Sequence, residues 1–187
     1  MAEPALAFRP VTAESWGDLA RLFEARGGPS YCWCMLWRPG GGRSNDSKRA
    51  ALRGIVEQGT PVGLLAYEDG EPVAWCSIAP RESYRSLGGP GDPGGVAVWS
   101  VACFFATRRL RGRGITGRLL RAAVEHAGER GADVVEGYPV DPDSPSYRFM
   151  GLRSTFLQAG FREVGTAGRR RHVMRLELSA RATAGSG

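Results

Sequence analysis

One stretch near the middle of the chain, residues 94–131, constrains the fold most. It begins with GGVAVWSVACFFA at residues 94–106, a long apolar run that is typical of a strand. A loop dense in Arg and Gly follows at residues 107–116, and Gly131 can end the helix that comes next. The apolar residues of that helix recur at helical spacing and are Ile115, Leu119, Leu120, Ala123, Val124 and Ala127. The stretch predicts a strand, a glycine-rich turn and a helix in direct succession.

Such a turn is suited to binding phosphate. Glycines let the backbone approach a ligand closely, the first N–H groups of a helix are unpaired, and the helix dipole favours an anion there. The loop is not a P-loop, because no lysine follows Gly117 and the only lysine in the chain is Lys48. Gly112, Gly114 and Gly117 fit the dinucleotide string G-x-G-x-x-G. No acidic residue ends a second strand as a ribose contact would require, so that match is weak evidence.

The loop instead resembles the acyl-CoA-binding motif of the GNAT family of N-acetyltransferases, Arg/Gln-x-x-Gly-x-Gly/Ala. The segment reads RGRGITGRLL at residues 111–120, with Arg111 and Gly114 at matching positions. Thr116 stands where the family has Gly or Ala; its N–H remains, and its hydroxyl could donate to a phosphate. The alternative interpretation is an Arg-rich, solvated loop before an ordinary helix.

The resemblance implies an α/β (α+β) fold with a central mixed, mostly antiparallel sheet that splays at the acyl-CoA site and is flanked by helices. We expect one such domain over residues 1–178 and a flexible tail over 179–187. The other predicted elements are a strand at 8–12, a helix with Trp16, Leu19, Leu22 and Phe23 on one face, a hairpin over 62–79 around Asp69-Gly70, a strand at 132–140, a helix at 154–161 and strands at 162–164 and 172–178.

Composition agrees with one compact domain and narrows the partners. The chain has 187 residues, of which 42% are hydrophobic, enough for a sizeable core. It has no apolar run long enough for a membrane span and no signal-peptide pattern at its start, so we expect a cytoplasmic protein without membrane contact. The net charge is +6, and the cluster at 169–171 is interpreted as a basic turn rather than a nucleic-acid patch. We expect a monomer or homodimer.

The resemblance also assigns the cofactor site. It implies that acetyl-CoA is the co-substrate and that the end of the long strand and the glycine loop bind it. The residues concerned are Phe104, Phe105, Ala106, Arg111, Gly112, Arg113, Gly114, Ile115 and Thr116. A basic rim of Arg108, Arg109, Arg111 and Arg113 suits the phosphates, because arginine holds phosphate through paired hydrogen bonds.

The acceptor site is predicted in YCWCMLWR at residues 31–38, between the first and second strands. The resemblance places this region over the acceptor, so Tyr31, Trp33 and Trp37 are candidates for an apolar or amine-gripping wall. The alternative is a segment packed on the core with no ligand contact. Four cysteines, at 32, 34, 76 and 103, lack the paired spacing of a zinc site, and we expect no metal.

Proton transfer is harder to assign. Many family members have a Tyr four residues before the Gly of a late Gly-Phe pair, as the thiolate's proton donor; here that position is Phe156, which cannot donate. The catalytic candidates are therefore Glu136 and Tyr138, which share one face of a strand, and Ser154. The alternative for Glu136 is a strand residue paired with an arginine.

The predicted function is transfer of an acetyl group from acetyl-CoA to a primary amine by direct attack. The first-choice acceptor is a small molecule, such as an aminoglycoside-type antibiotic or a polyamine. The alternatives are a protein N-terminus or lysine, a fold that binds acyl-CoA without transferring it, and a basic nucleic-acid-binding domain.

Overall fold

Seven strands form one sheet in the computed structural model, which describes residues 5–91 and 93–178. The strands are β1 (Ala7–Pro10), β2 (Gly63–Glu68), β3 (Glu71–Pro80), β4 (Val98–Ala106), β5 (Val134–Gly137), β6 (Arg162–Ala167) and β7 (Arg171–Glu177). The helices are α1 (Trp16–Glu24), α2 (Asn45–Glu57), α3 (Ile115–Glu129) and α4 (Arg153–Gln158). The predicted tail at 179–187 lies outside the described residues.

The sheet order is β1-β2-β3-β4-β5-β7-β6, and β4–β5 is its one parallel pair within the described residues. That pair is short, because Val98–Val101 of β4 faces Val134–Gly137 of β5 while β4 continues to Ala106. A β-bulge at Ala102 bends β4 where the two strands part. The mixed, mostly antiparallel and splayed sheet is thus confirmed.

The helices cover both faces of this sheet. The predicted apolar face of α3 is buried on one face, together with Phe156 of α4. Helices α1 and α2 pack on the other face, against Leu65, Tyr67 and Trp75. We call this second face the acceptor face, since Glu136, Tyr138 and the 31–38 segment belong to it. In the described part of the chain, no helix has the length and apolarity needed to cross a bilayer.

Three strand predictions extended too far. The strand expected at 8–12 ends at Pro10. The strand expected at 94–106 begins at Val98, because Gly94 and Gly95 have φ of +72° and +67°, and these angles are incompatible with strand pairing. The strand expected at 132–140 covers only Val134–Gly137. The Asp69-Gly70 hairpin turn is confirmed, since both residues have positive φ as a tight two-residue turn requires.

Gly137, the last residue of β5, leaves room for a buried aromatic ring. A Cβ added at Gly137 would lie 2.1 Å from Cε1 of Phe156, whose side chain is fully buried. We therefore expect Gly137→Ala to lower the free energy of unfolding by about 1–3 kcal/mol through overpacking, measured by urea or thermal unfolding. Gly54→Ala in α2 is the matched control, because a Cβ there meets nothing within 4 Å, and it should unfold like the parent or slightly later. Equal stability of Gly137→Ala and Gly54→Ala would contradict this packing.

Candidate functional site

The glycine loop joins the end of β4 to α3 as the sequence predicts. A short 3-10 turn, Arg108–Leu110, buries Leu110 and anchors the loop. Gly112 and Gly114 follow with φ of +76° and +70°, and Gly114 is the N-cap of α3 in the left-handed conformation. Glycine is favoured at both positions because side chains rarely adopt this backbone geometry.

The loop fits a phosphate-bearing ligand. Within residues 5–91 and 93–178, no backbone carbonyl accepts the N–H groups of Ile115, Thr116 and Gly117, which begin α3. A Cβ added at Gly112 or Gly114 would meet nothing within 4 Å, so the space above the turn is open. Unpaired donors at the positive end of a helix dipole, facing open space, are what the phosphates of acetyl-CoA require.

The arginines of the loop have different roles. Arg111 Nε donates to the Ala106 carbonyl at 3.2 Å and so ties the loop to the end of β4. Arg109 forms an ion pair with Glu68 on β2. Arg108 and Arg113 are exposed. Of the rim that the sequence predicts, Arg109 is therefore already committed to a carboxylate of the protein.

The end of β4 lies between the two cores. Phe104 packs on the α3 face, with its ring centroid 6.3 Å from that of Phe156, whereas Phe105 packs with the α1–α2 core. Because β5 has already ended, residues 102–106 have no strand partner on that side among the described residues. Phe104, Phe105 and Ala106 thus line the opening in the sheet.

Two candidate proton-transfer residues, Glu136 on β5 and Tyr138 just after it, are in direct contact. The Tyr138 hydroxyl donates to Glu136 Oε1, and both side chains are fully buried. Arg175 Nε donates to Glu136 Oε2 at 2.5 Å, and Arg81 Nη1 lies 3.5 Å from Oε1. Burial, helped by the Glu136 charge, raises the pKa of Tyr138. Glu136 is therefore paired with an arginine, as the alternative interpretation expects. Its side chain is fully buried and not exposed to solvent.

The late helix separates the other two candidates. Phe156 is fully buried and packs against Phe104 and Phe161, whereas Ser154 is exposed on the outer side of α4. The Phe156 ring therefore packs between Phe104 of β4 and Gly137 of β5 on the α3 face, whereas the Ser154 side chain is exposed to solvent. This placement makes Ser154 the weakest of the three catalytic candidates.

The three acceptor-site candidates lie in different environments. Trp33 is 2% exposed and its ring centroid lies 5.9 Å from that of Trp16 and 5.5 Å from that of Phe23, which favours the core-packing alternative for this residue. Tyr31 is 69% exposed, and its carbonyl accepts a hydrogen bond from Lys48. Trp37 is half-buried beside Tyr147.

An aromatic cluster on the acceptor face was not found from the sequence. The Arg171 guanidinium carbon lies 4.6 Å from the ring centroid of Trp37, 5.2 Å from that of Tyr147 and 5.9 Å from that of Tyr138. Tyr147 has a φ of +62°, a strained value for an aromatic residue and one found often at functional sites. We call Trp37, Tyr138, Tyr147 and Arg171 the aromatic cage. The only sequence signal was the run of arginines at 169–171, which also suits an ordinary turn.

The cysteines are free thiols in an apolar environment. In the described ranges, no group of three His, Cys, Asp or Glu residues could hold a metal ion. The neighbouring Cys34 raises the pKa of the Cys32 thiol, and Cys103 does the same for Cys34. Burial raises the pKa of Cys76. These thiols are held in the protonated form, which is unfavourable for a nucleophile.

The His172 side chain connects β7 with β6 and with the loop that follows β5. Its Nε2 lies 2.9 Å from Asp141 Oδ2 and its Nδ1 lies 3.0 Å from Glu163 Oε1. Burial lowers the pKa of His172, but the hydrogen bonds to Glu163 and Asp141 outweigh it and raise the pKa overall. The hydrogen bond from His172, followed by that from Arg153, lowers the pKa of Glu163. With both ring nitrogens engaged, His172 acts as a brace and not as a base.

This brace should give a pH-dependent contribution to stability. The raised pKa of His172 means that its stabilisation is present below the unfolded value of about 6.5 and is lost as pH rises through the folded value. The lowered pKa of Glu163 means that its contribution to stability is present above about pH 4.5 and is lost as pH falls through the folded value. We expect the Tm difference between the parent and His172→Gln to be largest near pH 5–6 and to shrink above about pH 8.

His126 provides the control for that experiment. Burial, followed by Arg130, lowers the pKa of His126, so its contribution has the opposite sign with pH. As pH falls through about 6.5, the Tm of the parent should therefore decrease relative to that of His126→Gln. A His172→Gln difference that is constant from pH 5 to 9 would contradict the brace.

Comparison with known proteins places this arrangement in a family. The sequence profile described as "Acetyltransferase (GNAT) family" matches residues 30–152. A search of curated proteins found no significant match.

Solved structures share the fold at low identity. AAC(6')-Ib in complex with paromomycin and acetyl-CoA is 18% identical, with a TM-score of 0.59 over 97% of this chain and 99% of the other. YncA from Salmonella typhimurium, with acetyl-CoA, is 18% identical, with a TM-score of 0.56 over 98% and 99%. Ribosomal-protein-alanine N-acetyltransferase from Brucella melitensis is 19% identical, with a TM-score of 0.56 over 92% and 99%.

Proposed function

Because the chain belongs to the GNAT family of acetyl-CoA-dependent acetyltransferases, we propose that it transfers the acetyl group to the primary amine of a small molecule. The observation that carries this proposal is the open glycine turn at the start of α3, close to the end of β4, which pairs with β3 but has no partner on its β5 side within the described residues. The turn supplies donors for phosphate, and the end of β4 supplies a place for the acyl end of the same ligand.

The phosphates would bind at the turn. The N–H groups of Ile115, Thr116 and Gly117 would face them, with Gly112 leaving room for close approach, and Arg111 and Arg113 would add positive charge. The backbone of Phe104, Phe105 and Ala106 would bind the pantetheine chain by strand-like hydrogen bonds, since no strand of the described protein occupies that side. The same stretch of β4, residues 103–106, supplies an N–H to the thioester oxygen as it gains charge.

The chemistry requires little else of the protein. The neutral amine attacks the thioester carbon, an N–C bond forms and the C–S bond breaks. The proton lost by the amine is balanced by the proton that the departing thiolate gains. Direct attack needs no covalent enzyme intermediate, and the raised pKa values of Cys32 and Cys34 disfavour either thiol as a nucleophile.

We propose that proton transfer involves Glu136 on β5 and Tyr138, which directly follows this strand. Glu136 is fully buried and held by Arg175, Arg81 and Tyr138, so it is best placed to act through the Tyr138 hydroxyl rather than by touching the amine. We keep Ser154 as a weaker candidate, because it is exposed on α4. Phe156 takes the usual donor's position without a hydroxyl.

We propose that the acceptor amine binds beside the aromatic cage. Trp37 stands beside Tyr147 and Arg171, and Tyr31 is exposed in the same segment, so both fit a wall around a small ligand. The 2% exposure of Trp33 limits it to supporting that wall. AAC(6')-Ib, a structural neighbour, was solved with an aminoglycoside, whereas the Brucella neighbour is named for a protein acceptor. A protein N-terminus is therefore the second acceptor class to test. Cytoplasmic location and a monomeric or homodimeric state stay predictions.

A screen of amines with acetyl-CoA, read by release of free thiol, tests the proposal. Small-molecule amines should give turnover well above the rate of acetyl-CoA hydrolysis, and peptides should not. Phe156 favours one competing function, a sensor that binds acyl-CoA without transferring it. A rise in Tm with acetyl-CoA but no thiol release with any amine would support the sensor and contradict the enzyme.

A further inference from the structure

The guanidinium of Arg171 is held in a fixed position on the acceptor face. It lies against the rings of Trp37, Tyr138 and Tyr147, and its Nη1 donates to the Leu87 carbonyl at 2.8 Å. An arginine held by ring contacts and a carbonyl loses little freedom when it binds a further group, because its planar donors are already oriented.

This arginine has no negatively charged partner among the described residues. No carboxylate lies within ion-pair distance of it in residues 5–91 and 93–178, and burial lowers the pKa of Arg171. Its Nε and Nη2 make no hydrogen bond within the described protein, yet they are not enclosed, since neither is among the fully buried atoms that lack a partner. Half-burying a charge without a counter-ion is costly unless something else compensates for it. The edge formed by Nε and Nη2 is therefore available to a ligand.

The surroundings add donors and positive charge. Arg38 is fully buried over the ring of Tyr84, with its Nη2 bound to the Val62 carbonyl and its Nε and Nη1 without a partner in the described ranges. Trp37 Nε1 is a further buried donor without a partner there. These three enclosed atoms are all donors, so they bring no negative charge or acceptor to this face.

The buried carboxylate nearby does not balance this charge. Glu136 is already held by Arg175 and approached by Arg81. Arg38 and Arg171 thus add positive charge to the acceptor face, and the open edge of Arg171 favours an anion.

We propose that the acceptor is an amine that also carries a carboxylate, as amino acids do, and that the Nε and Nη2 edge of Arg171 binds this carboxylate through two hydrogen bonds. This inference rests on the proposed function and names its substrate class. The first choice of acceptor is then no longer a polycationic aminoglycoside or polyamine but an amine that also carries a negative charge. The aromatic rings around Arg171 suit an amino acid with an apolar side chain.

Matched acceptors test the class. The thiol-release assay is run with L-methionine, L-methioninamide and 3-(methylthio)propylamine, and with L-phenylalanine, L-phenylalaninamide and phenethylamine. Spermidine and paromomycin represent polycations. We expect kcat/KM for the carboxylate member of each set to exceed that of the other two by roughly 10- to 100-fold, the value of a charge-assisted, paired hydrogen bond. Equal values within each set, or a preference for spermidine or paromomycin, would overturn the carboxylate while leaving the transferase standing.

Variants test the residue. Arg171→Gln should raise the acceptor KM and remove the preference for the carboxylate, with the KM for acetyl-CoA unchanged. Arg171→Lys keeps the charge but loses the paired donors, so it should restore only part of the preference. Arg169→Gln, at an exposed arginine two residues away, is the control and should behave like the parent. An Arg171→Gln variant that is folded by its Tm and keeps the full preference would overturn the assignment.

Binding separates this inference from the proposed function. If no amine releases thiol although acetyl-CoA raises the Tm, the transferase proposal fails. The Tm of the CoA-saturated protein with L-methionine or with 3-(methylthio)propylamine then decides the anion site alone. A larger shift with L-methionine that Arg171→Gln removes supports the site. Equal shifts, or no shift with either compound, contradict it.

Discussion

Gly114→Glu should abolish the thermal stabilisation that acetyl-CoA gives the parent protein. The substitution puts a side chain at a φ of +70° and a negative charge where the phosphates would bind. Acetyl-CoA at 100 times its Kd stabilises the native state by about 2.7 kcal/mol, which for a chain of this size raises the Tm by roughly 5–10 °C. We expect less than about a tenth of this shift in the variant, since mass action requires binding.

The control carries the same backbone strain at another place. Gly59 has a φ of +75°, is exposed after α2, and has open space around its Cβ position. Gly59→Glu should lower the Tm of the free protein by a similar amount and keep the full shift with acetyl-CoA. A Gly114→Glu protein that also keeps the full shift would place the cofactor elsewhere.

Glu136→Gln should lower kcat at neutral pH by roughly 10²-fold. The amide cannot take a proton from Tyr138, so the path from the amine through the phenol is interrupted. The same change leaves Arg175 without its buried partner, and breaking such a pair costs about 3–5 kcal/mol of stability. The kcat values are therefore compared at a temperature where both proteins are folded, as shown by their Tm.

Tyr138→Phe separates proton transfer from the ion pair. It removes the phenol but leaves Glu136 with Arg175, so its stability loss should be smaller than that of Glu136→Gln. Its kcat should nevertheless fall by a comparable factor if the proton passes through Tyr138. Recovery of Glu136→Gln activity at high pH would indicate proton loss to water. Equal kcat for Glu136→Gln and the parent from about pH 6 to 9 would leave Glu136 with a structural role alone.

The two ends of the site place different demands on the chain. The proposed cofactor end would use backbone N–H groups and glycines that lie close together in sequence, from Ala106 to Gly117. The proposed acceptor end would use side chains from distant segments, since Trp37, Tyr138, Tyr147 and Arg171 meet across loops and strand ends. The cofactor end could therefore bind acetyl-CoA, while the side chains of the acceptor end would determine which amine is acetylated.

The sequence by itself determined the strand, turn and helix at the cofactor site. Phosphate binding there depends on local backbone conformation and on donors within one turn, so the spacing of Arg111, Gly112 and Gly114 carries the information. Helical spacing also predicted the buried face of α3. Alternation along the expected strand at 132–140 predicted that Glu136 and Tyr138 share a side, and the two side chains are in contact although Tyr138 lies just beyond β5.

Only the tertiary structure decided the environments of the acceptor residues. Trp33 and Trp37 are four positions apart in one aromatic segment, yet one lies in the α1–α2 core and the other beside Arg171. Local sequence does not distinguish them, because burial depends on which strands and loops fold over each ring. The same holds for Arg171, whose neighbours on either side are exposed or bound to carboxylates, and for Glu136, whose partner Arg175 is 39 residues away. Charge pairing across a sheet is set by register, which the chain acquires only when it folds.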